Sequence, residues 1–127
     1  MTDREMLELA AKAAGYYFHG LRVGLDYENC FVSTTNDPDD WIIWDPRGDD
    51  GDALRLAVQC GIEISVVDDE AGTDGRFSRA CAGYATEDDP RVRYVFEDHR
   101  GDLFAATRRA IVRAAAEIGK GMKCSSM

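Results

Sequence analysis

The sequence predicts an α+β fold: a single-domain sandwich of about three helices packed on a mostly antiparallel sheet of four to five strands. Three observations carry that expectation. Apolar residues recur at helical spacing near both ends of the chain, a third helix opens behind the aspartates at 49–52, and the other apolar segments alternate with polar residues between turn-forming clusters. The order α-β-β-α-β-β-β-α favours helices laid on an antiparallel-rich sheet. A chain of 127 residues can bury a core without staples. Residues 1–120 are expected to form the domain, and 121–127, the end of the run GKGMKCSSM, a frayed tail.

The first helix is signalled by Thr2 as its cap, with Glu5 three positions on completing a capping box. Met6, Leu7, Ala10, Ala13 and Ala14 form its apolar stripe, and Gly15 ends it. Leu21, Val23 and Leu25 then alternate with Arg22 and Gly24 as a half-buried strand does, with Tyr16–His19 as its start and a bulge or bend at Gly20. A second strand, Cys30–Ser33, follows the turn-forming run DYEN. Residues 35–52 read as a long connection, with seven acidic side chains against one arginine, interrupted by the tetrad WIIW at 41–44.

The second helix follows this connection through about Cys60, with Asp49 or Asp50 as its cap, Asp52 in its first turn and Gly61 as its stop. Ile62, Ile64 and Val66 point one way along the next strand, and DDEAGTDG is a loop. RACAGYAT and RVRYVFE flank EDDP as a hairpin, with Val92, Tyr94 and Phe96 expected to face inward. The last helix is capped by Asp102. Phe104, Thr107, Ile111, Ala114, Ala115 and Ile118 form one face, and Ala106 and Ala110 permit close packing beside it.

Charge narrows the function. With 24 acidic and 15 basic side chains the chain carries −9, a field that repels nucleic acid and anionic lipid and favours basic partners or plain solubility. No apolar run approaches the roughly 18 residues that span a bilayer, and MTDREMLELAAKAAG lacks the basic start and unbroken apolar core of a signal peptide. The expected location is therefore cytoplasmic. Cys30, Cys60, Cys81 and Cys124 show no C-x-x-C spacing and read as free thiols; the first three sit among apolar neighbours, whereas Cys124 lies in a polar run open to oxidation.

Chemical motifs are weak. If Gly51 takes the sixth position of a calcium loop, positions one, three and twelve become Pro46, Gly48 and Ala57, and the pattern fails. Arg47-Gly48-Asp49 and Arg100-Gly101-Asp102 each precede a helix, so capping explains both copies without an adhesion role. His19 and His99 stand apart from each other and from any paired cysteines, and no nucleophile elbow or phosphate loop is present. No catalytic, cofactor or metal residue is assigned, and the expectation is of a protein that is not an enzyme.

Two features point to binding. Trp41 and Trp44 are framed by Asp37, Asp39, Asp40 and Asp45, and tryptophan in a charged surround is a common interface anchor. The alternative is that WIIW folds back to hold the long connection to the core. Arg108, Arg109 and Arg113, with Lys120 and Lys123 beyond, form a basic ridge. Such ridges usually pair with carboxylates of their own molecule; this one could also join one copy to the acidic run of another.

MTDREMLELAAKAAG, then Trp44 and Pro46, DDGDALRLAV at 49–58 and ATRRAIVRAAAEIGK at 106–120 resemble small tailed-phage and prophage proteins of the phage ABA-sandwich family, a domain of unknown function. The resemblance covers about a third of the chain closely. It implies a sheet sandwiched between helices and a phage origin, and it supplies no catalytic residues. Trp44, Pro46, Asp49, Asp50, Gly51, Asp52 and Arg55 match the family's recurrent signature, whose role reads as structural. The functional expectation is an accessory factor in the bacterial host cytoplasm, occupying a basic surface of a host protein in anti-defence or as a nucleic-acid mimic. Mimicry would draw on residues 37–52 with 68–74 or 87–89, because duplex DNA carries roughly one charge per 1.7 Å. The alternative is a self-assembling structural accessory protein, joined through Arg108, Arg109 and Arg113, and a third reading, behind both, is a small enzyme.

Overall fold

The computed structural model describes residues 2–23, 28–35, 37, 39–69, 77–86, 89–98 and 102–122. Among these residues three helices, α1 (Asp3–Ala14), α2 (Asp50–Cys60) and α3 (Leu103–Gly121), accompany six strands. The strands β1 (Tyr17–Val23), β2 (Glu28–Ser33) and β3 (Trp41–Trp44) form one antiparallel sheet; β4 (Glu63–Asp69), β5 (Phe77–Tyr84) and β6 (Arg93–Asp98) form another. The fold is α+β as expected. Its order is α-β-β-β-α-β-β-β-α, and two three-stranded sheets replace the single sheet of four to five strands.

The helix ends follow from local chemistry. Thr2 Oγ1 accepts from the Glu5 N–H at 3.1 Å, Asp49 from Asp52 at 2.9 Å, and Asp102 from Ala105 at 3.1 Å, each satisfying a donor that the first turn leaves open. Gly15 and Gly61 close α1 and α2 at φ of 81° and 67°, where a side chain would be strained. The bulge falls as expected: the β1–β2 register slips between Phe18 and Gly20, and Gly20 sits at φ 113°.

The core forms where the helices meet. α1 and α3 make the largest contact between elements through Leu7, Ala10, Ala11, Ala114 and Ala115, all within 1% of full burial. α3 also lies on β5 and β6, whose Ala80, Ala82 and Val95 fit beneath its alanines. α1 meets β1, with the Arg4 guanidinium 5.6 Å from the Phe18 ring centre. The thiols of Cys30 and Cys81 are buried, and that of Cys60 is partly buried.

Several expectations are corrected. WIIW is a strand, not part of a connection: it pairs with β2 in the register Cys30↔Trp44 through Ser33↔Trp41. Four apolar residues in a row have no period-two signature, so alternation could not reveal it. On β6, Val95 is the buried residue, while Tyr94, Phe96 and the preceding Val92 are about half exposed. Strand periodicity defines two faces without choosing between them, and the alanine surface of α3 comes too close for aromatic rings. Phe104 is 72% exposed; Val112, Ala116 and Gly119 are the buried additions to the α3 face. Ile62 is buried, but Ile64 and Val66 are only partly covered.

α3 runs on through Gly119, Lys120 and Gly121, and positions 123–127 of the expected tail lie outside the described residues. The DYEN turn, the DDEAGTDG loop, EDDP, Leu25, His99, Gly101 and Cys124 lie wholly or partly outside the described residues. In place of a sheet sandwiched between helices, each sheet turns one face to the helices and carries partly exposed aromatic residues on the other.

Candidate functional site

The spacing of Trp41 and Trp44 decides their fates once the tetrad is a strand. Three positions apart, they must lie on opposite faces. Trp44 points inward, 2% exposed, edge-on to Tyr16 with ring centres 5.6 Å apart. Trp41 points outward and is 42% exposed. It stacks on His19 at 5.5 Å and lies against Phe31 at 5.8 Å. Tyr17 pairs through Ser33 to Trp41, and Gly20 through Phe31 to Ile43, so Tyr17 and Ile43 share this outer face; both are about half exposed.

The bulge in β1 sets His19 beside this cluster. Its Nε2 lies 2.7 Å from Ser33 Oγ, and that hydroxyl donates to the Thr35 carbonyl at 2.6 Å. With its single proton so used, Ser33 accepts from His19 Nε2–H, which fixes the ring's orientation against Trp41. The polarity is opposite to that of a nucleophile activated by a histidine base, and Ser33 is fully buried. The pair therefore braces the tryptophan.

Acidic residues form the rim. Asp37 accepts from the Asp39 N–H at 2.9 Å, Asp40 from Thr35 Oγ1 at 3.0 Å, and Asp45 from the Gly48 N–H at 3.1 Å. These bonds shape the turns before and after β3. Asp37, Asp39 and Asp40 are exposed and Asp45 is partly so, and among the described residues no cation lies within ion-pair reach of the four. Several other carboxylates are matched: Asp52 binds Arg55 at 2.7 Å, Asp50 binds Arg108 at 2.6 Å, and Asp89 binds Arg91 and Arg93 at 3.0 and 2.6 Å. Hydrogen bonds from Arg91 and Arg93 hold the Asp89 carboxyl well below the usual carboxylate range.

The basic ridge is engaged inside the chain. Arg108 also donates to the Arg47 carbonyl at 2.7 Å, and Arg109 and Arg113 reach Glu97 at 3.8 and 3.3 Å. Glu97 lies on the helix-facing side of β6, so these pairs tie α3 to its sheet. Among the described residues no three metal-ligating side chains are grouped, and no helix is long and apolar enough to cross a membrane.

Of the six residues singled out from the sequence, Trp41, Asp37, Asp39 and Asp40 gather at one end of the β1-β2-β3 sheet; Trp44 lies inside and Asp45 leads into α2. Sequence reasoning missed Tyr17, His19, Phe31 and Ile43 as companions of Trp41. Only strand register brings them together. No family model, curated protein or solved structure matches the chain.

Proposed function

We propose that the chain is a non-enzymatic binding protein, of phage or prophage origin as its resemblance implies, that docks the outer face of the β1-β2-β3 sheet onto a host protein. The carrying observation is the union of a half-exposed aromatic face with an acidic rim that has no counter-charge among the described residues. Trp41, braced by His19 and Phe31, is a large rigid anchor that loses little side-chain entropy on docking. The rim of Asp37, Asp39 and Asp40 selects a basic surround and speeds encounter. The partner is thus a protein surface with a pocket for an aromatic ring and lysines or arginines beside it. Occupying such a surface in the host cytoplasm would block it, as an anti-defence factor does. The arginine partners of Asp49, Asp50, Asp52 and Asp89 favour docking of this kind over imitation of a phosphate array.

The test is capture from bacterial lysate by the tagged chain, Trp41→Ala, and Asp37→Asn/Asp39→Asn/Asp40→Asn. The reading expects a protein retained by the wild type, released by high salt and lost with both variants. Recovery of the same proteins by all three, or of none, would defeat it.

A further inference from the structure

The second sheet is incompletely roofed. α3 covers β5 and β6, but Ile64 and Val66 on β4 remain 39% and 50% exposed. A groove of about 350 Å³ runs between β4, α2 and α3, lined mostly by apolar groups that include Ala53, Leu54, Ile64, Val66, Phe104 and Ile111. Leu54 and Val58, one helical turn apart on α2, and Phe104 at the start of α3 are all more than half exposed. β4 is also an edge strand, paired among the described residues with β5 alone. A long edge beside an apolar groove is a surface that natural proteins cover.

We propose that a second copy of this chain covers it, by two-fold antiparallel pairing of β4 with β4 centred on Ser65. The strand is self-complementary in that register. Ile64 falls opposite Val66 of the second copy, Glu63 opposite position 67, and Asp68 and Asp69 opposite Ile62 and Gly61. Centring on Val66 instead would set Glu63 against Asp69, placing like charges across the ladder. A two-fold axis also brings both grooves to one seam, as an isologous interface requires. Leu54, Val58, Ile64, Val66 and Phe104 expose on the order of 500 Å² per copy, and two copies reach about 1,000 Å², the lower threshold of a specific interface.

The contact is apolar and joins two chains of charge −9, so added salt strengthens it by screening repulsion. Sedimentation of the wild-type chain is expected to show mass rising with concentration from 14.1 kDa toward twice that, more readily in high salt. Val66→Lys and Phe104→Lys should remain monomeric with unchanged circular dichroism. Register is tested by Ser65→Cys in a Cys81→Ala/Cys124→Ser background, because Cys81 is opposite Ser65 on β5 and Cys124 lies in a polar run open to oxidation. Mild oxidation should link Ser65→Cys into a dimer and leave Glu63→Cys in the same background largely monomeric. A chain monomeric at all concentrations, a dimer that salt dissolves, or equal linkage of the two cysteine variants would overturn the proposal.

Discussion

In Gly119→Ala a single methyl group is placed where α3 crosses α1. Its carbon would lie 2.8 Å from the carbonyl carbon of Leu9 and 3.2 Å from its Cα, against roughly 3.5–4.0 Å for carbons in contact. The obstacle is backbone, which cannot rotate aside, so the helices must part by about an ångström across the packed Leu7, Ala10, Ala11, Ala114 and Ala115. Overpacking of this kind costs about 1–3 kcal/mol. The crossing runs through the centre of the core, which argues for the upper end. Alanine returns about 1 kcal/mol as the better helix former. The net loss is about 2 kcal/mol, lowering Tm by roughly 8 °C. Gly121→Ala supplies the control: it lies in the same helical turn, and its added carbon meets Thr86 at an ordinary 3.4 Å. That variant should be neutral or gain up to about 1 kcal/mol. Urea and thermal unfolding followed by circular dichroism read both. If Gly119→Ala were as stable as the wild type, the close helix crossing would be refuted.

Other predictions follow from burial and charge. Trp44→Ala should lose about 3–5 kcal/mol as a core truncation, and Trp41→Ala no more than about 1 kcal/mol; denaturant titration separates them, and equal losses would contradict the assignment of opposite faces. Burial pushes the Cys60 thiol up to about 11 from 9.0, so its alkylation rate, mapped by mass spectrometry, should keep climbing between pH 9 and 11. The raised value also means that Cys60's contribution to stability is present below pH 9 and is lost as pH rises through about 11. For Asp89 the sign is reversed. Its lowered pKa stabilises the fold above the ordinary carboxylate value of 3.8 and is lost as pH falls below it. Asp89→Asn should flatten that acid limb in unfolding curves measured against pH.

What the sequence made legible was local. Thr2, Asp49 and Asp102 each bond a backbone N–H three residues on, so the three helix starts could be read from spacing alone. Gly15 and Gly61 marked their stops for the same reason. Long-range pairing decided the rest. Gly119 resembled the start of a polar tail because its neighbour Leu9 is remote in sequence. The direction of Tyr94 and Phe96 depended on the closeness of α3, which alternation does not encode. In the candidate site, Trp41 and its acids stood out by composition, whereas His19 and Phe31 joined them only through the bulge and the β1-β2-β3 register.

Trp41 and its acidic rim are proposed to form one docking surface. Its most direct test is the affinity of the captured host protein for purified wild type, Trp41→Ala and Asp37→Asn/Asp39→Asn/Asp40→Asn, titrated across salt concentration. A central tryptophan anchor is worth about 2 kcal/mol or more, roughly a thirtyfold weakening on truncation. The predicted result is that loss for Trp41→Ala with the salt dependence kept, and a shallower salt dependence for the triple variant. Unchanged affinity in Trp41→Ala, with its fold intact, would contradict the account.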